Sequence, residues 1–500
     1  MTPQTSRTPA PPGAAGSRLG LVLAACCLGQ FMNVLDASVV NVALPAIAED
    51  LRFDRHDLYL VNNAYTVVVC GFLLLGGRLA DLHGRRRIFL CGVALFTLAS
   101  AVGGAADGPA TLILARAFQG LGAAVMAPAT LTVLAATFTQ PAARGRAFGW
   151  WSAVSGAAGA IGVLAGGMIT QWLSWRWILL VNVPIGIALF ATVCWVVPQG
   201  RGPRREKHRL DIPGAVTVTL GLMGAVYAAA ASHTYGWGSA AVLVPLIGGA
   251  VLLALFVLIQ TRFARDPLVP LVIFRNRPVA AANTVAFFAI AALFSTFYFF
   301  TLLLQQVLGY SPLRTGLAYL PLSAGIALAG WGVSSLVPRC GPRPVLLAGL
   351  CVSCVGLLWL SRLDENATYA ADVLGPVLLL GSGMGAVLNA TTNAATAGLP
   401  AHQAGLGSGL LNATRQLGCA TGLVALTALS SARIDAVVEP TSGAASPHAL
   451  AAGYGLALTG AALLTAAALP AALLVSRRRR HGLVRGRSRA SQGAEETLAS

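Results

Sequence analysis

Long uninterrupted runs of apolar residues, separated by short polar tracts, dominate the pattern of this 500-residue chain. Each run has about 18–25 residues, the length that an α-helix needs to cross the hydrocarbon core of a bilayer. The runs are continuous rather than alternating, which excludes a transmembrane β-barrel. The pattern predicts an all-α membrane protein with 14 spans, at residues 19–42, 58–76, 88–105, 110–136, 145–172, 175–197, 211–231, 240–261, 278–307, 313–337, 344–361, 370–397, 407–431 and 449–475.

Composition supports a membrane setting for the whole chain. The residues are 56% hydrophobic and only 10% charged, and the mean hydropathy is +0.72. A soluble domain carries roughly 25% charged residues, so this chain cannot cover a globule of its size with polar surface. Residues 1–17 are polar and contain no apolar signal region, so we expect the first span to be retained as an anchor.

The placement of basic residues predicts the orientation. With the N-terminus in the cytoplasm and alternating spans, 26 of the 34 lysines and arginines fall on the cytoplasmic side and six on the other. This bias follows the positive-inside rule and predicts cytoplasmic termini. Arginine greatly outnumbers lysine and alanine is abundant, which suggests a bacterial gene, so the expected location is the inner membrane of a bacterium. A missed helix would invert every later loop and remove the bias. The net charge of +17 therefore reflects topology and contact with anionic lipid rather than nucleic-acid binding.

Two basic tracts divide the chain into related halves. Short Gly/Arg turns at 77–87 and 338–343 lie two spans into each half, and paired halves around a central cavity are a common transporter design. The predicted organisation is an N-terminal tail (1–18), a six-helix half (19–198), a basic linker (199–210), two inserted helices (211–262), a second basic linker (263–277), a second six-helix half (278–475) and a basic tail (476–500).

Asp36 is the one acidic residue that the pattern places in a membrane core. An intramembrane carboxylate costs about 2.5–3.5 kcal/mol or more, so it must face a polar cavity or a partner. Arg116 is the predicted partner, and Gln119 shares its helix face. Desolvation favours the protonated carboxyl and a nearby arginine favours the carboxylate, so Asp36 and Arg116 are predicted to couple transport to protons. The alternative for both residues is a structural tie between helices.

Polar side chains inside the other spans are candidates for the substrate cavity, although amides also tie helices together. The predicted cavity residues are Asn33, Asn41, Asn62, Asn63, Gln119, Asn389, Asn393, Asn412, Arg415 and Gln416. Cys351 and Cys354 form a C-x-x-C without a second ligand pair, so we predict no metal. The sequence contains no nucleotide-binding loop of the G-x-x-x-x-G-K-[ST] type, which argues against direct ATP drive, and no cofactor is predicted.

Two further groups of residues are predicted to serve conformational change. The cytoplasmic loop contributes Gly77, Asp81, Gly84, Arg85 and Arg86, because Asp81 can cap the next helix and pair with arginine. The alternative for this loop is a simple orientation signal. A second group consists of small residues that let helices approach closely and slide: Gly120, Gly162, Gly166 and Gly167. The alternative for these glycines is close packing without any motion.

In this order the motifs resemble those of the major facilitator superfamily, in its fourteen-helix drug/proton antiporter branch. The resemblance covers about residues 20–475 and rests on Asp36–Pro45, Gly77–Arg87, Arg116–Gly120, Ser174–Ile178 with Asn182–Gly186, Leu304–Pro312 and Gly409–Gly418. Three positions depart from the family pattern: Leu82 replaces a common basic residue, Val163 replaces a proline after Gly162, and Pro338 stands where the first half has Asp81. The first departure weakens the contact by which the cytoplasmic loop would hold the halves together. The second weakens the motif as evidence for the direction of transport. The third means that the loop contact is not repeated in the second half.

The resemblance implies a proton-driven exporter of small organic molecules that works by alternating access as a monomer. With one acid and two arginines in the spans, we expect neutral, zwitterionic or singly charged amphiphiles as substrates. An uptake carrier on the same fold is the alternative. A membrane-embedded enzyme or receptor is a more remote one, because the seven histidines fall in or beside loops and tails.

Overall fold

Helices occupy all the predicted spans in the computed structural model, which describes residues 12–53, 57–197, 211–236, 238–264, 267, 275–396, 404–437 and 446–475. The helices are α1 (Pro12–Leu51), α2 (Leu60–His83), α3 (Arg85–Gly104), α4 (Pro109–Thr137), α5 (Pro141–Trp172), α6 (Arg176–Leu180), α7 (Asn182–Val196), α8 (Ile212–Tyr235), α9 (Ala240–Leu258), α10 (Arg277–Leu302), α11 (Pro312–Ala318), α12 (Leu320–Cys340), α13 (Pro342–Leu360), α14 (Leu374–Thr396), α15 (Ala404–Val437) and α16 (Pro447–Leu474). Single π-helical turns extend α9, α10 and the start of α14.

The helix lengths confirm the all-α membrane class. Eleven helical segments of the described chain are long and apolar enough to cross a bilayer, and three shorter apolar helices lie at the second, fifth and seventh predicted spans. The exact number of fourteen crossings stays a prediction, as do the domain bounds, whose linker 199–210 and tail 476–500 lie outside the described residues. Helix α1 continues past the apolar run to Leu51 and carries Pro45 within it, so Asp50 belongs to a helix rather than to a loop.

We call the two ends of the bundle the terminal face, where α1 begins and α16 ends, and the distal face, where α1 ends and α16 begins. In the first half, α1 packs on α5 and α4 packs on both α2 and α3. In the second half, α10 packs on α15 and α16, and α14 packs on α12 and α13. These contacts lie within each half and make each half a bundle of helices.

The halves meet tightly at the distal face. Gln305 Nε2 donates to the Val42 carbonyl at 2.8 Å, and the Leu313 amide donates to Gln171 Oε1 at 3.1 Å. One buried apolar cluster joins both halves here, with Val42 and Ile47 beside Tyr298 and Phe299. The other large cluster lies toward the terminal face and contains residues of the first half only. The structure is therefore closed between the halves at the distal face.

The inserted helices α8 and α9 pack against each other as a hairpin on the flank of the bundle. Helix α8 contacts α2 of the first half and α15 of the second half. An added Cβ at Gly71 of α2 would lie 1.9 Å from Thr219 Oγ1 of α8, so the approach requires a glycine. Asp211 precedes α8 and accepts a hydrogen bond from Gln260 after α9, which ties the base of the hairpin together.

Candidate transport site

Asp36 lies at the centre of a fully buried polar network in the first half. Arg116 Nη1 donates to Asp36 Oδ2 at 2.5 Å, and both side chains are almost inaccessible, at 1% and 0% exposure. The other carboxylate oxygen, Oδ1, accepts from Asn182 Nδ2 at 2.8 Å and from Gln119 Nε2 at 3.2 Å. Three helices, α4, α7 and α1, are therefore joined through a single carboxylate.

Arg116 is held by further contacts around its guanidinium group. Nη1 also donates to Gln119 Oε1 at 2.9 Å, and Nε donates to the Val61 carbonyl at 3.2 Å. The guanidinium carbon lies 4.5 Å from the ring centre of Tyr65, in a cation–π arrangement. Burying two opposite charges is tolerable only when such hydrogen bonds satisfy them, and removing one partner leaves an uncompensated charge in the membrane.

The sequence-based set of site residues misses three members of this network. Asn182 contacts Asp36 directly, and Ser100 Oγ accepts from Gln119 Nε2 at 2.6 Å. The Tyr65 hydroxyl donates to Asn33 Oδ1, which brings the predicted cavity residue Asn33 next to the arginine. The signal that could have identified Asn182 is a polar side chain inside an apolar run. Serine and tyrosine are common in membrane-spanning helices, so the sequence gives no reason to choose Ser100 or Tyr65.

The other predicted amides of the first half lie on α1 and α2. Asn62 Nδ2 donates to Asn41 Oδ1 at 2.8 Å, and Asn41 Nδ2 donates back to the Ala37 carbonyl at 3.0 Å. Asn63 is fully buried, and neither its amide nitrogen nor its oxygen has a hydrogen-bond partner. Asn41 and Asn62 thus form a tie between helices, and Asn63 is an orphan polar group.

The predicted residues of the second half form a separate group near the terminal face. Asn389 Nδ2 donates to the Gly330 carbonyl at 3.0 Å, and Asn393 Nδ2 donates to Asn389 Oδ1 at 2.9 Å. Arg415 Nη2 donates to Thr392 Oγ1 at 2.8 Å and to the Leu388 carbonyl at 3.2 Å. Asn393 and Asn412 are exposed, and Gln416 is half-buried. None of these contacts reaches Asp36, so the structure places the predicted residues in two clusters.

The predicted gating loop is a tight turn between α2 and α3. Gly84 has φ +97°, in the left-handed region that favours glycine. Arg86 Nη2 donates to the Cys194 carbonyl at the end of α7 at 2.5 Å, and Arg85 is half-buried. Gly77 makes only ordinary contact, since an added Cβ would lie 3.5 Å from Pro128. The side chain of Asp81 lies outside the described residues.

The four predicted packing glycines all lie where two helix backbones approach closely. An added Cβ would lie 2.5 Å from the Tyr65 carbonyl at Gly120, 2.2 Å from Ser38 Oγ at Gly162 and 2.9 Å from the Val39 carbonyl at Gly166. At Gly167 it would lie 2.5 Å from the Pro312 carbonyl of α11, in the other half. Gly167 therefore belongs to the closed distal seam.

Comparison with known proteins gives the family. The family model of the Major Facilitator Superfamily matches residues 26–423 of the sequence. The chain belongs to this superfamily. Its fold agrees, because a bacterial homologue of the human lysosomal transporter Spinster matches with a TM-score of 0.60 at 17% identity, over 92% of this chain and 96% of that one. The human organic anion transporter MFSD10 matches with the same TM-score at 17% identity, over 93% and 100%.

The curated relatives in the superfamily include antibiotic exporters and resistance proteins. The chain is 42% identical to the cephamycin export protein CmcT of Amycolatopsis lactamdurans, over 89% of each chain. It is 40% identical to a puromycin resistance protein of Streptomyces alboniger, over 87% of this chain and 88% of that one. A multidrug resistance protein of Mycobacterium tuberculosis is 36% identical, over 84% and 77%. Membership of the superfamily confirms the predicted fold and the predicted class, a membrane transporter rather than an enzyme.

Proposed function

We propose that this protein is a proton-coupled antiporter that exports small organic molecules from a bacterial cytoplasm. Antibiotic export and resistance are named for the relatives at 36–42% identity, which supports export of a drug, an antibiotic or a secondary metabolite. The observation that carries proton coupling is the buried Asp36 carboxylate, held by Arg116, Gln119 and Asn182.

The orientation follows from the basic residues of the terminal-face loops. These loops face the cytoplasm under the positive-inside rule, which makes both termini cytoplasmic. The closed distal face then lies toward the outside. A substrate enters from the cytoplasm or the inner leaflet, between the halves, and the protein works as a monomer in the inner membrane.

Protonation of Asp36 is the step that couples the two movements. The neutral carboxyl loses its ionic attraction to Arg116, which weakens the link between α1 and α4 and frees the guanidinium. Proton entry from the outside, when the cavity faces that way, drives the return to the state open to the cytoplasm. Each elementary charge that crosses 100 mV contributes about 2.3 kcal/mol, in addition to the proton's concentration gradient.

The remaining predicted residues take supporting roles in this cycle. Separation of Gly167 from Pro312 opens the distal seam when the halves rock. The turn at Gly84, which Arg86 fixes to the end of α7 within the first half, is the proposed gating loop of the terminal face. The amides Asn389, Asn393, Asn412 and Gln416 line the cytoplasmic entrance, and Asn33 lines the cavity beside Tyr65.

The test is transport into inverted membrane vesicles with an imposed pH gradient, acidic inside. Wild type should accumulate a cephamycin, puromycin or another member of a drug panel while it dissipates the gradient. Asp36→Asn should bind the same compound without dissipating the gradient, because the amide cannot take up a proton. Asp50→Asn is the control, since Asp50 pairs with Arg176 at the exposed distal face. Coupling by Asp36→Asn at the wild-type rate would exclude Asp36, and substrate movement with the proton would indicate an uptake carrier.

A further inference from the structure

Arg415 differs from the other intramembrane charges because no acidic residue of the described chain pairs with it. Asp36 pairs with Arg116 and Asp50 pairs with Arg176, and neither pair includes Arg415. Arg415 lies in α15, within the segment Leu410–Val437 that is apolar enough to cross a membrane. Within such a segment an unpaired cation is expensive unless it faces water or a counter-ion.

The contacts of Arg415 fix its guanidinium group and leave it incompletely satisfied. Nη2 is held by Thr392 Oγ1 and by the Leu388 carbonyl of α14. Nε is buried and has no hydrogen-bond partner. A guanidinium offers five N–H donors in a planar fork, which suits the two oxygens of a carboxylate or phosphate. Both hydrogen bonds come from Nη2, and Nε is too buried to meet a ligand directly, so an anion would approach the guanidinium at Nη1.

Exposed polar side chains surround this group. Asn393 lies one position after Thr392, Asn412 lies one turn before Arg415, and both are exposed. Polar side chains that are exposed within membrane-spanning helices line water rather than lipid chains. The halves are joined at the distal face, and this cluster lies toward the opposite, terminal ends of α14 and α15.

We propose that Arg415 is the docking point for an anionic oxygen group, a carboxylate or a phosphate, on the exported molecule. This assignment rests on the proposed export function and narrows its substrates to molecules with one acidic group, including zwitterions. The first half supplies no competing charge, because Arg116 neutralises Asp36. Export of a monoanion against an entering proton also moves both charges in the direction that an inside-negative potential favours. A phosphate of an anionic lipid has the same chemistry and is the other possible source of the anion.

The test compares three probes on one scaffold, 1-pyrenebutyrate, its methyl ester and 1-pyrenebutylamine. Binding to the purified full-length protein in nanodiscs of zwitterionic lipid is followed by energy transfer from tryptophan to pyrene. Wild type should bind the carboxylate about tenfold more tightly than the ester, the effect of one charge-assisted hydrogen bond. Arg415→Gln should abolish that preference and leave the ester affinity unchanged, and Arg415→Lys should retain part of it.

Arg433→Gln is the matched control, because Arg433 is exposed near the distal end of the same helix. Its preference for the carboxylate should equal that of wild type, and thermal unfolding should show that all variants are folded. Equal affinity of wild type for carboxylate and ester, or an unchanged preference in Arg415→Gln, would overturn the proposal. Repeating the titration with phosphatidylglycerol in the nanodiscs separates the two sources. The substrate assignment is wrong if phosphatidylglycerol prevents pyrenebutyrate from binding to wild type and excess pyrenebutyrate does not restore binding. In that case the lipid should not change the binding of pyrenebutyrate to Arg415→Gln, and the site belongs to lipid.

The result is independent of proton coupling. Loss of the carboxylate preference can be measured without a pH gradient, whereas the Asp36→Asn experiment requires one. A protein that couples protons but shows no preference for anions keeps the proposed function and loses this inference. A protein that prefers anions through Arg415 but does not couple to protons keeps this inference and loses the proposed proton coupling.

Discussion

The first half of the chain surrounds its intramembrane arginine with partners, whereas the second half leaves one nitrogen of its own arginine without a hydrogen-bond partner. Arg116 contacts a carboxylate, an amide, a carbonyl and an aromatic ring, and it is fully buried. Arg415 contacts a hydroxyl and a carbonyl, and its Nε has no partner. Under the proposals made above, the same residue type serves two purposes: a self-contained charge pair that responds to a proton, and an incomplete site that receives a ligand.

Removal of the carboxylate from the first half should have the largest effect on stability. Asp36→Ala leaves Arg116 buried and uncompensated, so we expect a loss of about 3–5 kcal/mol in the free energy of unfolding. Titration with sodium dodecyl sulfate in mixed micelles measures the change. The double variant Asp36→Ala/Arg116→Leu should recover much of the loss, because no charge remains unpaired. Equal stability of the single and double variants would show that the pair is not the main tie.

The seam between the halves should be the next most sensitive place. Gly167→Ala places a Cβ about 2.5 Å from the Pro312 carbonyl, so the closed distal face should lose about 1–3 kcal/mol through overpacking. Hydrogen–deuterium exchange at Leu313, whose amide donates to Gln171, should rise. Gly159→Ala is the matched control on the same helix, since the nearest atom to its added Cβ is 4.0 Å away. Slow exchange in both variants would contradict a seam that depends on Gly167.

Giving Arg415 a partner should convert the second half into a copy of the first. Thr392→Asp places a carboxylate where the hydroxyl now lies 2.8 Å from Nη2, so the guanidinium would be compensated internally. The preference of the protein for pyrenebutyrate over its ester should fall about tenfold. Thr392→Asn has a similar size and no charge, and it should change the preference little. An unaltered preference in Thr392→Asp would mean that the anion binds elsewhere.

The smallest effect is expected at the exposed ion pair. Asp50 and Arg176 are 46% and 33% exposed, and pairs of this kind contribute less than about 1 kcal/mol. Asp50→Ala should therefore unfold close to wild type in the same titration used for Asp36→Ala. If Asp50→Ala lowers the free energy of unfolding as much as Asp36→Ala does, burial does not determine how much each ion pair contributes.

Much of the fold and part of the site follow from the sequence alone. Hydropathy is a local property, and a run of apolar residues with a rise of 1.5 Å per residue specifies a spanning helix without knowledge of its neighbours. The same reasoning selects Asp36 and Arg116, because a charge in an apolar run is expensive wherever the helix lies. The order of short motifs adds the superfamily.

Only the tertiary structure decided which polar groups meet. Asn182 and Asp36 are 146 residues apart, and no local pattern indicates that α7 brings the amide to the carboxylate. The same holds for the division of the predicted cavity residues into two clusters, for the closed distal face, and for the lack of an acidic partner for Arg415 among the described residues. These features depend on how helices from distant parts of the chain pack together, so the sequence determined the helices and the candidate charges, and tertiary packing determined which charges are satisfied.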